Sequence, residues 1–162
     1  MKYSGIIYND IAAAPGLSVS FFTQGCDQHC KGCQNPSTWD FDGGLEFSPD
    51  VLNNIIANLQ AQGINRNLCI MGGEPLAEKN LFLTYLVVKT VKEKSPKSPI
   101  YLWTGYIHED LIKQNNYRIN QILELVDVLI DGPYVETLRD ITLEMRGSSN
   151  QRIINLHEID KD

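Results

Sequence analysis

The sequence lacks any hydrophobic run of the ~20 residues that a membrane-spanning helix requires. Its first ten residues also lack the apolar core and small-residue cleavage site of a secretory signal. Basic residues are too few for a general nucleic-acid binder, since 14 Lys and Arg stand against 20 Asp and Glu, a net charge of −6. We therefore expect a cytoplasmic protein that binds neither a membrane nor a nucleic acid.

Cysteine is also scarce, with 4 residues in 162. Because thiols stay reduced in the cytoplasm, cysteines there favour metal binding or catalysis over disulfides. Cys26, Cys30 and Cys33 lie close together in the sequence, whereas Cys69 lies between Leu68 and Ile70. A free cysteine in such an apolar run behaves as a small hydrophobe, so we expect Cys69 to belong to the core.

Short apolar runs alternate with longer amphipathic ones, a pattern that predicts βα units and a mainly parallel sheet. The predicted strands cover residues 17–22, 67–71, 100–103 and 126–130, with a candidate fifth at 152–156 and an antiparallel edge at 3–8. The predicted helices cover residues 49–59 (after Ser48 and ended by Gly63), 81–91 (stopped before Pro96), and a broken pair at 107–113 and 119–125.

The length limits this pattern to part of a barrel. A complete (β/α) barrel of eight units needs ~250 residues. We therefore expect an α/β fold in one domain, residues 1–162, that forms a partial, open (β/α) barrel of about five to six units. The open side of such a barrel suits a large substrate.

Each of the first four predicted strands is followed by residues that can carry chemistry. In chain order these are Gly25-Cys26, Gly72-Gly73-Glu74-Pro75, Thr104-Gly105-Tyr106 and Asp131-Gly132-Pro133-Tyr134. In (β/α) barrels the loops after the carboxyl ends of the strands build the active site. These segments are therefore the candidate site.

The cysteine loop has the spacing Cys-x3-Cys-x2-Cys, which can direct three thiolates into one small volume. An iron–sulfur cubane usually takes four cysteine ligands, so three ligands leave one iron with an open position. The alternative is a structural zinc site, with His29, His157 or Cys69 as the fourth ligand. The spacing favours the cluster, because zinc motifs usually come as two separated pairs, but it leaves zinc open.

The cysteine triplet resembles the signature of the radical S-adenosylmethionine superfamily. Gly72-Gly73-Glu74-Pro75, at the end of the next predicted strand, resembles the glycine-rich turn that binds the methionine amino group in that superfamily. By itself this tetrapeptide is also a plain strand-to-helix turn. The two motifs together carry the resemblance.

Further residues narrow the resemblance to the small activating proteins of anaerobic ribonucleoside-triphosphate reductases. The residues that carry it are Pro15-Gly16, His29, Gly32, Asn35, Trp39 and Arg146 to Arg152. Many radical enzymes have an aromatic residue at the position of Gly32, and this family does not. Gln34 stands where the family often has tyrosine.

The resemblance implies a radical S-adenosylmethionine type of partial barrel with a [4Fe–4S] cluster on Cys26, Cys30 and Cys33. It implies S-adenosylmethionine binding by Gly32, Cys33, Gln34, Gly72, Gly73, Glu74, Pro75, Thr104 and Asp131. For Thr104 and Asp131, ordinary turn chemistry is the competing interpretation. Arg146 to Arg152 would bind the cofactor carboxylate or the partner protein, or form a solvated loop. Trp39 would shield the cluster or simply pack.

The implied activity is that of a glycyl-radical activase. The reduced cluster would pass an electron to S-adenosylmethionine, giving methionine and a 5′-deoxyadenosyl radical that takes a hydrogen atom from a reductase glycine. The implied partners are the reductase, a reduced flavodoxin-like electron donor and a second copy of the chain, as a homodimer within the reductase complex. The alternatives are an activase of another glycyl-radical enzyme, such as pyruvate formate-lyase, and a non-catalytic zinc or iron–sulfur docking module.

Overall fold

A computed structural model describes residues 1–159 of the chain, and its centre is one seven-stranded sheet. The strands are β1 Lys2–Asp10, β2 Ser18–Thr23, β3 Leu45–Glu46, β4 Asn67–Gly72, β5 Ile100–Trp103, β6 Val128–Asp131 and β7 Arg152–Asn155. Their order across the sheet is β3-β1-β2-β4-β5-β6-β7. Strands β2, β4, β5 and β6 are parallel, so their carboxyl ends meet at one edge.

Four helices connect the parallel strands. They are α1 Pro49–Leu59, α2 Leu81–Lys94, α3 His108–Gln114 and α4 Tyr117–Leu125. Pro49 occupies the first turn of α1, and α2 ends before Pro96, as the sequence predicts. The break between α3 and α4 is also confirmed, since the Asn116 side chain accepts the backbone N–H of Arg118 at 2.9 Å and begins α4.

The sheet is open, as predicted, but the expected five to six repeated units are wrong. Strands β1 and β7 each pair antiparallel with their neighbours, so only three crossovers join the four parallel strands of the described chain. The antiparallel segment predicted at 3–8 is confirmed as part of β1. It is not the edge, however, because the two-residue strand β3 pairs outside it.

The core lies mainly between the sheet and its helices, where Ile55, Leu59, Val87 and Leu102 are fully buried. Cys69 is on the other face of the sheet, packed with Tyr101 and Val128. It is 0% exposed, and burial raises the pKa of its thiol to about 12. The prediction of Cys69 as a core residue is confirmed. Within residues 1–159 we find no helix that is long and apolar enough to cross a membrane.

Candidate functional site

The carboxyl ends of the parallel strands border a cavity of about 220 Å³. Its wall contains seven residues that the sequence predicts for the site: Cys26, Cys30, Cys33, Gly72, Gly73, Glu74 and Thr104. It also contains Tyr134 and Gln151, which lie in segments with a predicted role in the site, and Trp39, a predicted shield of the cluster; Gln28 and Trp103 were not predicted. The fold therefore brings the cysteine loop and the Gly-Gly-Glu-Pro turn to one place.

The cysteine loop begins with a sharp turn at Gly25, directly after β2. Gly25 has a φ of +101°, and a Cβ atom there would lie 2.0 Å from the Phe41 ring. Its N–H donates to the Thr38 carbonyl at 2.6 Å, and the Cys26 N–H donates to the Trp39 carbonyl at 3.1 Å. Two backbone hydrogen bonds thus close residues 25–39 into a loop on the cavity wall.

Backbone N–H groups already face two of the sulfur atoms. The N–H of Gln28 donates to Cys26 Sγ, and that of Asn35 donates to Cys33 Sγ, both at 3.4 Å. Hydrogen bonds of this kind to sulfur are among the levers that set the potential of an iron–sulfur cluster. Burial raises the pKa of the Cys26 thiol, so this group would lose a proton on binding iron.

The donor set fits a cluster. All four cysteines are free of disulfides, and three of them line the same cavity. Across residues 1–159, no three His, Cys, Asp or Glu side chains are grouped tightly enough to hold a single metal ion. Three free thiols on one cavity wall, with N–H groups directed at two of the sulfurs, therefore fit an iron–sulfur cluster.

The Gly-Gly-Glu-Pro turn is hydrogen-bonded to the cysteine loop. The Gly73 N–H donates to the Thr23 carbonyl at 3.0 Å, and the Glu74 N–H donates to the Gly25 carbonyl at 2.8 Å. A Cβ atom on Gly73 would lie 2.3 Å from the Gly25 oxygen, so only glycine allows this approach. The turn and the loop form one unit.

The Glu74 carboxylate is 1% exposed and fully engaged by protein groups. It accepts hydrogen bonds from the Leu76 N–H at 2.9 Å, the Thr104 hydroxyl at 2.7 Å and the Gly105 N–H at 2.7 Å. Burial raises its pKa to about 7, even though these hydrogen bonds favour the charged form. The Glu74 carboxylate and the Thr104 hydroxyl therefore join the ends of β4 and β5 to each other.

Asp131 lies away from the cysteine cavity. It is buried beside Arg152, whose guanidinium donates to it at 3.0 and 2.5 Å, and it borders a separate groove. Arg152 also binds Glu109 at 2.9 and 2.6 Å, and this guanidinium holds the pKa of Glu109 at about 2. The antiparallel register places Arg152 directly opposite Asp131. The sequence places Asp131 at the strand end correctly but does not reveal this ion pair.

Three other predicted cofactor positions are also off the cavity wall. Gly32 is exposed, and a Cβ atom there would lie 2.9 Å from the carboxyl group of Glu136. Gln34 is exposed as well. Pro75 is buried behind the turn, where its carbonyl accepts the Thr84 hydroxyl at 2.8 Å.

The segment from Arg146 to Arg152 is ordered by its own side chains. Gln151 Oε1 accepts the N–H groups of Gly147 and Ser148 at 2.9 and 3.1 Å. Its Nε2 donates to the Gly132 carbonyl at 3.0 Å, which holds the segment against the β6 loop. Gln151 thereby reaches the cavity wall, which the polar composition of the segment does not reveal.

The fold and the cavity agree with the class of protein that sequence comparison identifies. The family described as "4Fe-4S single cluster domain" matches residues 12–154, which include the cysteine loop and the Gly-Gly-Glu-Pro turn. The particular family follows from full-length relatives, and the chain belongs to the family of anaerobic ribonucleoside-triphosphate reductase-activating proteins. The resemblance seen in the sequence is therefore confirmed.

Three relatives that carry this name illustrate the extent of the match. The protein of Salmonella typhimurium is 35% identical over 157 residues, 96% of this chain and 99% of the relative. That of Vibrio cholerae is 36% identical over 154 residues, 94% and 97% of the two chains. That of Enterobacteria phage T4 is 38% identical over 153 residues, 94% and 93% of the two chains.

Proposed function

We propose that this chain activates an anaerobic ribonucleoside-triphosphate reductase by generating a glycyl radical on it, through reductive cleavage of S-adenosylmethionine at a [4Fe–4S] cluster. The observation that carries the proposal is the single cavity that three cysteines share with the glycine-rich turn. The names of the full-length relatives support the reductase as the protein substrate.

Cys26, Cys30 and Cys33 would hold three irons of the cluster and leave the fourth open to S-adenosylmethionine. When bound, a reduced cluster supplies the electron that splits this cofactor into methionine and a 5′-deoxyadenosyl radical, which takes a hydrogen atom from a glycine of the reductase. The chain's own residues orient the cofactor and exclude water from the site.

The glycine-rich turn would bind the methionine end of the cofactor. Gly72 and Gly73 line the cavity without a side chain between their backbone and a ligand. Glu74, Thr104 and Pro75 support the turn from behind, since their polar groups are bonded within the protein. Their part in cofactor binding is therefore to hold the backbone that makes the contact.

Gly32 and Gln34 are exposed, so they would contact the cofactor only if the cysteine loop changed its conformation on binding the cluster. Gly32 and Gln34 flank Cys33, which does line the cavity. We propose that Asp131 acts through Arg152, by holding β7 beside the site, because its carboxylate is saturated by that guanidinium and the His108 N–H.

At the scale of the chain, we propose a partial barrel of the radical S-adenosylmethionine type in a single activase domain. That domain is residues 1–162, of which 160–162 lie outside the described residues. The open sheet leaves a side through which a protein substrate can reach the cavity. A cytoplasmic location, a flavodoxin-like electron donor and a homodimer within the reductase complex belong to the same proposal.

The proposal is tested by anaerobic incubation of the reconstituted protein with dithionite and S-adenosylmethionine. We expect equal amounts of methionine and 5′-deoxyadenosine. Cys30→Ala should abolish the formation of both products. Cys69→Ala is the matched cysteine control and should retain it. A protein that holds its cluster but gives no 5′-deoxyadenosine would contradict the enzymatic activity. Colourless protein with tightly bound zinc would contradict the cluster itself and favour a docking module.

A further inference from the structure

The indole nitrogen of Trp39 is buried and has no hydrogen-bond partner. Within residues 1–159 it is the one buried side-chain nitrogen or oxygen in this state. A buried donor without an acceptor destabilises the folded state, and each such group in a native structure calls for an explanation. An acceptor that fills the neighbouring cavity would provide one.

Trp39 is fixed in the wall of the cysteine cavity from two sides. Its backbone carbonyl accepts the Cys26 N–H at 3.1 Å, which ties it to the first cysteine. Its ring stacks on His29 with centroids 4.5 Å apart and an interplanar angle of 14°. His29 has a φ of +46°, so the cysteine loop adopts an unfavourable backbone conformation where it meets this ring.

The second tryptophan of the chain provides an internal comparison. Trp103 lines the same cavity, but its Nε1–H donates to the Met145 carbonyl at 2.8 Å. The protein thus satisfies one indole at this cavity and leaves the other without an acceptor. A cluster held by the three cysteines would present inorganic sulfides and cysteine thiolates, and both accept N–H groups.

We propose that the indole N–H of Trp39 donates a hydrogen bond to a sulfur of the [4Fe–4S] cluster or of its ligating thiolates, and thereby raises the reduction potential of the cluster. The inference rests on the proposed function only for the presence of the cluster on Cys26, Cys30 and Cys33. Reduction adds negative charge to the sulfurs, so a donor stabilises the reduced cluster more than the oxidised one. Trp39 would in this way adjust the reduction potential of the cluster.

Trp39→Phe removes the N–H and keeps a ring that can stack on His29. With iron and sulfide content equal to wild type, we expect the midpoint potential to shift to a more negative value. We also expect the unfolding midpoint of the cluster-free protein to fall less than that of Trp103→Phe, because Trp39→Phe removes ring volume but breaks no protein hydrogen bond. Trp103→Phe is the matched control: it should destabilise the cluster-free protein and leave the potential nearly unchanged.

Equal potentials in wild type and Trp39→Phe would overturn the proposal. So would an unchanged potential with a raised KM for S-adenosylmethionine, which would place the acceptor on the cofactor. A cluster-free Trp39→Phe protein destabilised more than Trp103→Phe would indicate a hydrogen bond from the Trp39 indole to the protein and would overturn it too.

If Trp39→Phe fails to assemble its cluster, a second measurement on protein that keeps Trp39 tests the same hydrogen bond. The chain has 2 tryptophans, so Trp103→Phe protein labelled with indole-15N tryptophan carries the label only at Trp39. Pulsed electron paramagnetic resonance of its reduced cluster should show a 15N hyperfine coupling, and its absence would overturn the proposal.

A wild type without a cluster would overturn this inference and the proposed function together. A cluster that couples to Trp39 but forms no 5′-deoxyadenosine would overturn only the proposed function.

Discussion

Cys26, Cys30 and Cys33 differ from Cys69 in what surrounds them. The first three line a cavity, and backbone N–H groups face two of their sulfurs. Cys69 is enclosed on the opposite face of the sheet, where burial holds its thiol in the protonated form. Burial raises the pKa of the Cys26 thiol as well, so it is position on the cavity wall, and not the thiol pKa, that separates the three candidate ligands from the core residue Cys69.

Replacing any of the three cavity cysteines with alanine should prevent assembly of a stable cluster, because a second iron would then lack a cysteine ligand. Cys69→Ala should keep the cluster and cost roughly 1 kcal/mol of stability through the lost core volume. Visible absorption and iron content after anaerobic reconstitution measure the first effect, and urea unfolding measures the second. Loss of the cluster in Cys69→Ala would show that the ligand set is wrong.

Glu74 should make the stability of the cluster-free protein depend on pH. Its pKa is 4.5 ordinarily and about 7 in the folded protein, so between these pH values the folded state binds more protons than the unfolded state. The free energy of unfolding therefore falls as the pH rises through this window. Across this window the free energy of unfolding of wild type should fall by on the order of 3 kcal/mol relative to that of Glu74→Gln. Urea unfolding across the window measures the difference, and parallel curves for the two proteins would contradict it.

At the scale of elements, the site depends on two loops that follow adjacent parallel strands. The loop after β2 carries the cysteines, and the turn after β4 carries Gly73 and Glu74. Their N–H groups donate to the Thr23 and Gly25 carbonyls, which fixes the distance between the thiols and the turn. The spacing of the two motifs in the sequence predicts that they meet, because both follow parallel strands of one sheet.

Gly73→Ala should separate these two loops. The added Cβ atom would lie 2.3 Å from the Gly25 oxygen, which is backbone and can move only with the cysteine loop. We expect a loss of roughly 1–3 kcal/mol in the free energy of unfolding and a lower cluster occupancy. Gly5→Ala is the matched control, since a Cβ atom there meets nothing within 4 Å. Equal stability and cluster content in the two variants would argue against a coupled unit.

Sequence reasoning predicts elements better than side-chain partners. Proline, glycine and apolar spacing predict all four helices and six of the seven strands, because these signals act locally. The strand β3 is only Leu45–Glu46 and is exposed, so it gives no such signal. The pairing of Asp131 with Arg152 depends on the antiparallel register of β7, and the saturation of Glu74 depends on the end of β5. Neither can be read from spacing, because both partners are distant in the chain.

At the scale of the whole molecule, three crossovers build a sheet that stays open. Antiparallel strands border the four parallel ones on both sides, so the carboxyl edge forms one cavity rather than a closed barrel mouth. Under the proposed function, this openness would let the target glycine of the reductase reach the cavity. The central prediction is therefore that the chain generates a radical on the reductase.

The most direct test of radical formation on the reductase is electron paramagnetic resonance. The reductase is first incubated anaerobically with reduced reconstituted protein and S-adenosylmethionine. Cys33→Ala protein is the control, and pyruvate formate-lyase in place of the reductase tests the choice of partner. We expect a glycyl-radical doublet on the reductase with wild-type protein and none with Cys33→Ala. A doublet on pyruvate formate-lyase alone, or no doublet on either enzyme while 5′-deoxyadenosine accumulates, would contradict it.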